Sequence, residues 1–363
     1  MGTTPKKTSH LFTPLPLRSL TLANRAIVAP MCQYSAVDGC AQPWHTVHIG
    51  MLATGGWGMT ILEATAVEPS ARITPDCLGL WGDAQEKALA NTLSMVRAAV
   101  PGACLGIQLA HAGRKAATYG PLGSKKGPIA KEHGGWDALA PSAIAFAALP
   151  VPHQMSAAQM RECHEAFVGA TIRANRLGFD FVEAHAAHGY LLASFLSPLA
   201  NQRGDAYGGT LENRMRFPLE VIAAMRAAWP PHKPLGVRFG ATDLTEDGWQ
   251  VADACAFGVA LKKIGVDILH ISLGGNSTAP WKSEPGWLVE YAAEIRRASD
   301  CAVIAVGELN DPLLAEKILA QGNADAIAIG RGALREPRWP WKAARALGAV
   351  PPCPAQCAWC VGH

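Results

Sequence analysis

The sequence predicts an α/β fold, a closed (β/α)8 TIM barrel with a small capping insertion after strand 3. Three observations carry that prediction. Eight short runs rich in Val, Ile and Leu recur along the 363 residues, and helix-length segments separate most of them. Several runs lack polar alternation, as parallel strands buried on both faces do. Unusual residues sit near the carboxyl ends of those runs: Cys32, Tyr34, Gln108, His185, His188, Arg238, Gly307, Gly330 and Arg331. A barrel brings the ends of all its strands to one mouth, whereas an open doubly wound sheet collects ligands at a single reversal point.

Taken in order, the strands are expected at 26–31, 60–67, 105–110, 181–184, 235–240, 268–273, 303–307 and 326–330. Between the third and fourth, Ser156-x-x-Gln159 fits a capping box. Met160, Cys163, Phe167, Ala170, Ala174 and Leu177 then keep one helical face apolar until Gly178 stops it. A less regular stripe, Leu211, Met215, Leu219, Ile222 and Met225, ends at Pro230-Pro231. A third helical region spans 245–263, closed by Lys262-Lys263 and Gly265, and Asp311-Pro312 opens another that Gly322 closes. Two stretches interrupt this rhythm. Residues 35–58, with Trp44, His45 and His48, read as a loop and short helix near the mouth. Residues 116–152 are too long for a structureless loop and read as a cap containing small strands. A single domain over 1–350 and a tail over 351–363 follow.

Composition narrows the functional class. The chain is 49% hydrophobic and 17% charged, enough to bury a large core. A net charge of +3 without a long basic run gives no nucleic-acid footprint, and Lys6-Lys7 and Lys125-Lys126 read as solvated loop charges. No apolar run approaches the roughly 18 residues that span a bilayer, and no apolar core follows the basic start. The expectation is a cytoplasmic protein without membrane partners. Ten scattered cysteines then read as thiols, with Cys104, Cys163, Cys255 and Cys301 as small buried hydrophobes.

The run Val182-Glu183-Ala184-His185-Ala186-Ala187-His188-Gly189-Tyr190 is the richest in chemistry. A strand leading into an irregular loop could point both imidazoles at one substrate oxygen and stabilise charge developing there. Alternatives are a core histidine beside an exposed one, or zinc with a third ligand from elsewhere. Tyr190 is a poor acid toward water but a suitable donor to a carbanion, or its ring simply packs. Cys32 admits four readings: nucleophile, metal ligand, modulator of a redox cofactor, or buried hydrophobe. Tyr34 can turn its hydroxyl toward the same cavity. Gly307 and Gly330-Arg331, after strands seven and eight, suit a phosphate at the barrel's phosphate site, or are ordinary turns with Arg331 at the surface. No Gly-x-Gly-x-x-Gly follows a strand, so no Rossmann module is indicated. A phosphate clamp, a histidine pair, a proton donor and a redox-sensitive thiol together suit flavin chemistry.

Longer motifs carry a resemblance. Ala29-Pro30-Met31-Cys32, Gln108-Leu109-Ala110-His111-Ala112-Gly113-Arg114-Lys115, His185-Ala186-Ala187-His188-Gly189-Tyr190, Asn201-x-Arg203-x-Asp205-x-Tyr207-Gly208-Gly209 and Leu211-Glu212-Asn213-Arg214 are together highly specific. Over nearly its whole length the chain resembles the Old Yellow Enzyme family of ene-reductases, in the branch of the Bacillus and thermophilic members. That resemblance implies noncovalent FMN, with Gln108 and Arg238 facing the polar side of the flavin ring. Ala29, Pro30, Met31 and Ala64 would lie among its contacts, and Gly307, Gly330 and Arg331 would hold its phosphate. Cys32 would tune the flavin, Tyr34 would shape the substrate side, and Lys115 would assist the flavin or nicotinamide end. His185 and His188 would bind the oxygen of an activated alkene, and Tyr190 would be the proton donor. NADPH or NADH would be the reductant, and a homodimer or homotetramer the assembly. No metal is implied. One departure concerns the tail: Cys357 stands where the branch has Tyr, and Trp359 where it has an Arg that reaches a neighbouring subunit's site. Trp359 could supply an aromatic wall instead, or the tail is disordered or packs locally. The terminal Cys353, Cys357, Cys360 and His363 also form a loose metal-like set, a weak signal at a chain end, and read as ordinary thiols. Two competing readings are a metal-dependent barrel hydrolase using His185 and His188, and a flavin-binding sensor in which Cys32 responds.

Overall fold

Residues 9–361 are described by the computed structural model, and in it eight parallel strands close on themselves. They are β1 (Ala26–Val28), β2 (Met59–Ala66), β3 (Leu105–Ala110), β4 (Phe181–Ala186), β5 (Leu235–Gly240), β6 (Ile268–Ser272), β7 (Ala302–Ala305) and β8 (Ala326–Ile329). Closure comes from β8 lying beside β1, with Ile327, Ala328 and Ile329 opposite Ala26, Ile27 and Val28. All eight strands fall where expected. β1 stops short of its expected end because Pro30 offers no donor for a ladder, and β7 stops before Gly307, whose φ of +118° leaves the strand region.

The helices are α1 (Pro43–Ala53), α2 (Asp83–Ala99), α3 (Ala157–Arg176), α4 (Leu191–Leu196), α5 (Leu211–Ala228), α6 (Val251–Lys263), α7 (Val289–Ser299), α8 (Pro312–Ala320), α9 (Arg331–Arg335), α10 (Trp339–Ala346) and the short α11 (Ala358–Val361). The capping box before α3 is formed: Gln159 N donates to Ser156 Oγ at 3.3 Å, and Ser156 N donates to Gln159 Oε1 at 2.9 Å. α6 begins later than the expected 245. Gln250 Nε2 donates to the carbonyls of Thr245 and Gly248 at 2.7 and 2.9 Å, which ties the preceding residues into a turn and leaves Gln250 as the cap. The expected loop and short helix of 35–58 is a loop followed by the full helix α1. Trp44 Nε1 donates from α1 to Gln33 Oε1 beyond β1 at 3.1 Å. The cap contains a small strand, Leu139–Ala140, paired with His153–Gln154 just past its expected end at 152. Arg203 holds them together by donating to Pro141 O and Met155 O at 3.0 and 2.8 Å.

Strand alternation sorts the side chains. On β4, Val182, Ala184 and Ala186 face the helices and join the main apolar core, while Phe181, Glu183 and His185 face the barrel axis. Phe181 fills the floor, where its neighbours are glycines. A Cβ on Gly106 or Gly236 would stand 2.9 or 2.4 Å from the Phe181 ring. An amino-terminal hairpin, Leu15–Leu17 with Leu20–Leu22, seals this floor against Ile27, Met59, Ile61, Ile268 and Ile304. Above it the interior turns polar: Gln108 lies opposite Glu183, and Arg238 opposite both His185 and His270. One strand thus runs from apolar floor to chemical mouth in three inward steps.

Among the described residues no helix is long and apolar enough to cross a membrane. The segment Met1-Gly2-Thr3-Thr4-Pro5-Lys6-Lys7-Thr8 and His363 lie outside the described residues.

Candidate active site

Inside the barrel, Gln108 Nε2 donates to Glu183 Oε1 at 2.7 Å, and the other carboxylate oxygen, Oε2, is 2.8 Å from His270 Nδ1. All three side chains are buried. With its amide nitrogen engaged, Gln108 keeps its carbonyl oxygen as a free acceptor, and Glu183 ties β4 to both β3 and β6.

Two residues beyond Glu183, His185 lies next to the last position of β4, and the chain then makes a left-handed step at His188, with φ of +59°. That conformation is costly for a side-chain-bearing residue, and three contacts hold it. His188 N donates to Leu273 O at 3.2 Å. Lys115 Nζ donates to His188 O at 2.6 Å and to Gly275 O at 2.7 Å. Gly189 and Gly275 let the loops after β4 and β6 touch: a Cβ on Gly189 would stand 2.2 Å from Gly275 O, and one on Gly275 would stand 2.7 Å from His188 Cα. The result is a His188 Nδ1 that faces His185 Nε2 at 3.3 Å. The Tyr190 ring packs edge-on to His185, with centroids 5.1 Å apart.

Electrostatics set the protonation states. Burial, reinforced by the Arg238 charge, holds His185 and His188 well below the usual imidazole range. Both rings are neutral at pH 7 and offer N–H groups without carrying charge. Burial, with the nearby Cys32 and Tyr34, holds the Tyr190 phenol well above its usual value, so it retains its proton. A hydrogen bond with Cys77, then burial, raises Cys32, which is therefore a thiol. Tyr34 is raised by burial and by Cys32, with which it also hydrogen-bonds. Lys115 is drawn down to about 7, first by burial and then by neighbouring Arg114.

Beside the histidine pair opens a cavity of about 600 Å³, within the usual range for cofactor sites. It brings together Ala29, Pro30, Met31, His188, Arg238, Gly307, Gly330 and Arg331 from opposite sides of the barrel. Cys32, Tyr34, Ala64, Gln108, His185 and Tyr190 do not line this cavity. His185 and Tyr190 connect to it through His188, Cys32 and Tyr34 follow the β1 segment that does line it, and Ala64 sits at a register shift in β2. The residues fit FMN. Arg238 Nε is buried without a partner, on a side chain that reaches the cavity, and Arg331 and Arg335 give the far end positive charge.

Sequence reading missed Ser272 and Gly275 on the His188 side, and Trp281, Trp287 and Asn310 around the cavity. The only signal was Ser272-Leu273-Gly274-Gly275-Asn276, which closes a strand with small and polar residues. The tail does not wall this site within the chain. Pro354, Ala355 and Gln356 line a separate cavity with Leu20, Trp57 and Cys104, toward the amino-terminal ends of the strands. Trp359 is 76% exposed. Cys353 and Cys357 are free thiols, while the side chain of Cys360 and all of His363 lie outside the described residues.

Comparison with known proteins agrees with this geometry. Residues 10–349 match the family model described as NADH:flavin oxidoreductase / NADH oxidase. The chain is similar to an NADPH dehydrogenase of Bacillus subtilis (strain 168), at 42% identity over 351 residues that cover 95% of this chain and 97% of the relative. It is also similar to an NADPH dehydrogenase of Geobacillus thermodenitrificans, at 40% identity covering 95% and 97%. Among solved structures, morphinone reductase superposes with a TM-score of 0.78 at 29% identity, covering 95% of this chain and 91% of that one; the same reductase has been solved in complex with tetrahydroNAD. The chain therefore belongs to the NADH:flavin oxidoreductase / NADH oxidase family, as an Old Yellow Enzyme of the Bacillus-like branch that uses FMN and takes its electrons from NAD(P)H.

Proposed function

We propose that this oxidoreductase reduces activated alkenes: α,β-unsaturated ketones, aldehydes and imides, and nitroalkenes. The observation that carries this reading is the pair of neutral imidazole nitrogens 3.3 Å apart, with a protonated tyrosine against the same ring. When bound, FMN supplies hydride, received from NAD(P)H, to the β-carbon of the alkene. Gln108 offers its free carbonyl oxygen, and Arg238 its unpartnered Nε, to the polar edge of the flavin. Gly307, Gly330 and Arg331 cradle the phosphate, and Ala29, Pro30, Met31 and Ala64 lie along the flavin.

The remaining work belongs to the oxygen and the α-carbon. As hydride reaches the β-carbon, the π electrons move onto the carbonyl or nitro oxygen, where the N–H groups of His185 and His188 stabilise the developing charge. Tyr190 then gives its proton to the α-carbon and regains one from solvent. A phenol held above its ordinary pKa stays protonated until a base as strong as an enolate arrives, so proton transfer follows hydride transfer. Cys32, uncharged and hydrogen-bonded to Cys77, modulates the flavin without acting as a nucleophile, and Tyr34 shapes the substrate side. A homodimer or homotetramer in the cytoplasm is the expected assembly, with the domain running to about residue 350.

The test is anaerobic spectroscopy of the purified protein. It should be yellow, bleach with NADPH and regain colour with 2-cyclohexen-1-one or maleimide. Bleaching without recovery across a broad panel of alkenes and nitroalkenes would refute the proposed acceptor class.

A further inference from the structure

Ser272 ends β6 with its side chain turned inward, and it is 4% exposed. Its Oγ lies 2.8 Å from His188 Nε2 and 3.3 Å from Arg238 Nη2. A guanidinium only donates, so Arg238 occupies one lone pair of that oxygen. One hydrogen and one lone pair remain for His188. The other end of the chain of contacts is equally constrained. Ala187 N donates to His185 Nδ1 at 3.2 Å, so His185 carries its proton on Nε2, facing His188 Nδ1.

Two proton arrangements satisfy these distances. In the first, His185 Nε2–H donates to His188 Nδ1, and His188 Nε2–H donates to Ser272. The pair is then closed on itself, and among the described residues the serine hydrogen has no acceptor. In the second, the Ser272 hydroxyl donates to His188 Nε2, which places the His188 proton on Nδ1. Both facing nitrogens are then donors, and an oxygen between them accepts from each. Only a group that both accepts from Arg238 and donates to His188 supports the second arrangement.

We infer that Ser272 is a positioning residue that holds the proton of His188 on Nδ1 and so makes the His185–His188 pair a double donor for one substrate oxygen. This rests on the reading of the pair given above. The hydroxyl rotates between the two arrangements, letting the pair close on itself without substrate and open when an oxygen arrives. Arg238 takes part by occupying one of the two lone pairs of Ser272, so that donation from His188 would leave the serine hydrogen without an acceptor. Ser272 therefore acts on acceptor binding and on the oxidative half-reaction.

The test uses the FMN-loaded full chain with 15N-labelled histidine, with and without cyclohexanone, which has the carbonyl oxygen but no alkene to reduce. With cyclohexanone, nitrogen shifts should show His188 protonated on Nδ1 in the wild type and in Ser272→Thr, but on Nε2 in Ser272→Ala. Loss of this one hydrogen bond should raise KM for 2-cyclohexen-1-one about tenfold in Ser272→Ala. Threonine should restore both tautomer and KM. If Ser272→Ala does not fold, Ser272→Cys, with a weak donor, gives the same reading. Retention of Nδ1–H in the alanine variant would overturn the inference. So would a KM change that tracks weakened FMN binding. A wild type that shows the tautomer change with cyclohexanone but never turns over an alkene would refute the proposed acceptor class and leave the role of Ser272 standing.

Discussion

Two walls of the same cavity are built on opposite principles. The wall from β4 and β6 carries His188 and Ser272, with His185 and Tyr190 packed behind His188, and its key polar groups are held more than once. Lys115 grips two carbonyls, Ser272 meets two side chains, and His188 is fixed in a left-handed conformation by contacts on both sides. The wall from β7 and β8 is loose by comparison. Gly307, Gly330 and Arg331 present backbone and a side chain that is 81% exposed, with Arg331 only 3.5 Å from Glu308. A site that must place a proton and an oxygen to within a fraction of an ångström needs the first kind of construction. Holding a phosphate, whose charge is spread over several oxygens, needs only the second.

Breaking the tight wall at its proton donor should have the largest effect. Tyr190→Phe keeps the ring packed on His185 and removes only the hydroxyl, so stopped-flow reoxidation by 2-cyclohexen-1-one should slow by about 10²-fold or more while reduction by NADPH is unchanged. Equal slowing of both half-reactions would show that Tyr190 shapes the cavity and does not donate the proton. Next in size is Gly189→Ala. The new Cβ would meet Gly275 O at 2.2 Å, on a residue with φ of +69°. Left-handed strain alone costs about 1–3 kcal/mol, so the denaturation midpoint should fall and KM for the alkene should rise. An unchanged midpoint would mean that the two loops separate freely, contrary to their role as a fixed frame.

Lys115 tests the same wall through pH. Its folded pKa, about 7, lies below the ordinary lysine value, so between roughly pH 7 and 10.5 the unfolded chain binds the proton that the folded chain lacks. Stability contributed by this site therefore rises with pH across that window and is flat below it. Lys115→Met should remove that slope, seen as converging denaturation midpoints of variant and wild type as pH falls from 10 toward 7. Parallel midpoints across the window would show that the lysine titrates normally.

How much of this was legible in the sequence follows from the same contrast. The eight strands and the His185–Tyr190 segment stand out because their residue types are informative one at a time: β-branched runs, then imidazoles and a phenol at a strand end. Glu183 could be assigned by alternation to the face opposite Ala184, which strand geometry guarantees. Ser272 could not be read, because its meaning depends on lying beside a histidine 84 residues away across two strands of a closed barrel. The carbonyls that Lys115 binds have no side-chain signature at all. The tail shows a different limit of sequence reading. A motif position marks which residue replaces Tyr or Arg but not where a single chain places it, and Pro354, Ala355 and Gln356 pack toward the opposite end of the barrel from the histidines.

The loose wall makes the smallest prediction. The Arg331 side chain is largely in water and shares its charge with Glu308, whose carboxylate also accepts from Ser283 Oγ at 2.5 Å. A charge so exposed contributes little, and salt screens it within about 10 Å at 0.1 M. Arg335 and the backbone at Gly307 and Gly330 remain in place when it is removed. Arg331→Ala should therefore weaken FMN binding by no more than about fivefold at low salt, measured by quenching of flavin fluorescence, and the deficit should shrink as salt is raised. Reduction and reoxidation rates of the loaded enzyme should match wild type. A loss of about a hundredfold that persists in high salt would require a desolvated, directed arginine–phosphate contact. The two walls would then be built alike, and the side chain would have to swing inward from Glu308 when the phosphate arrives.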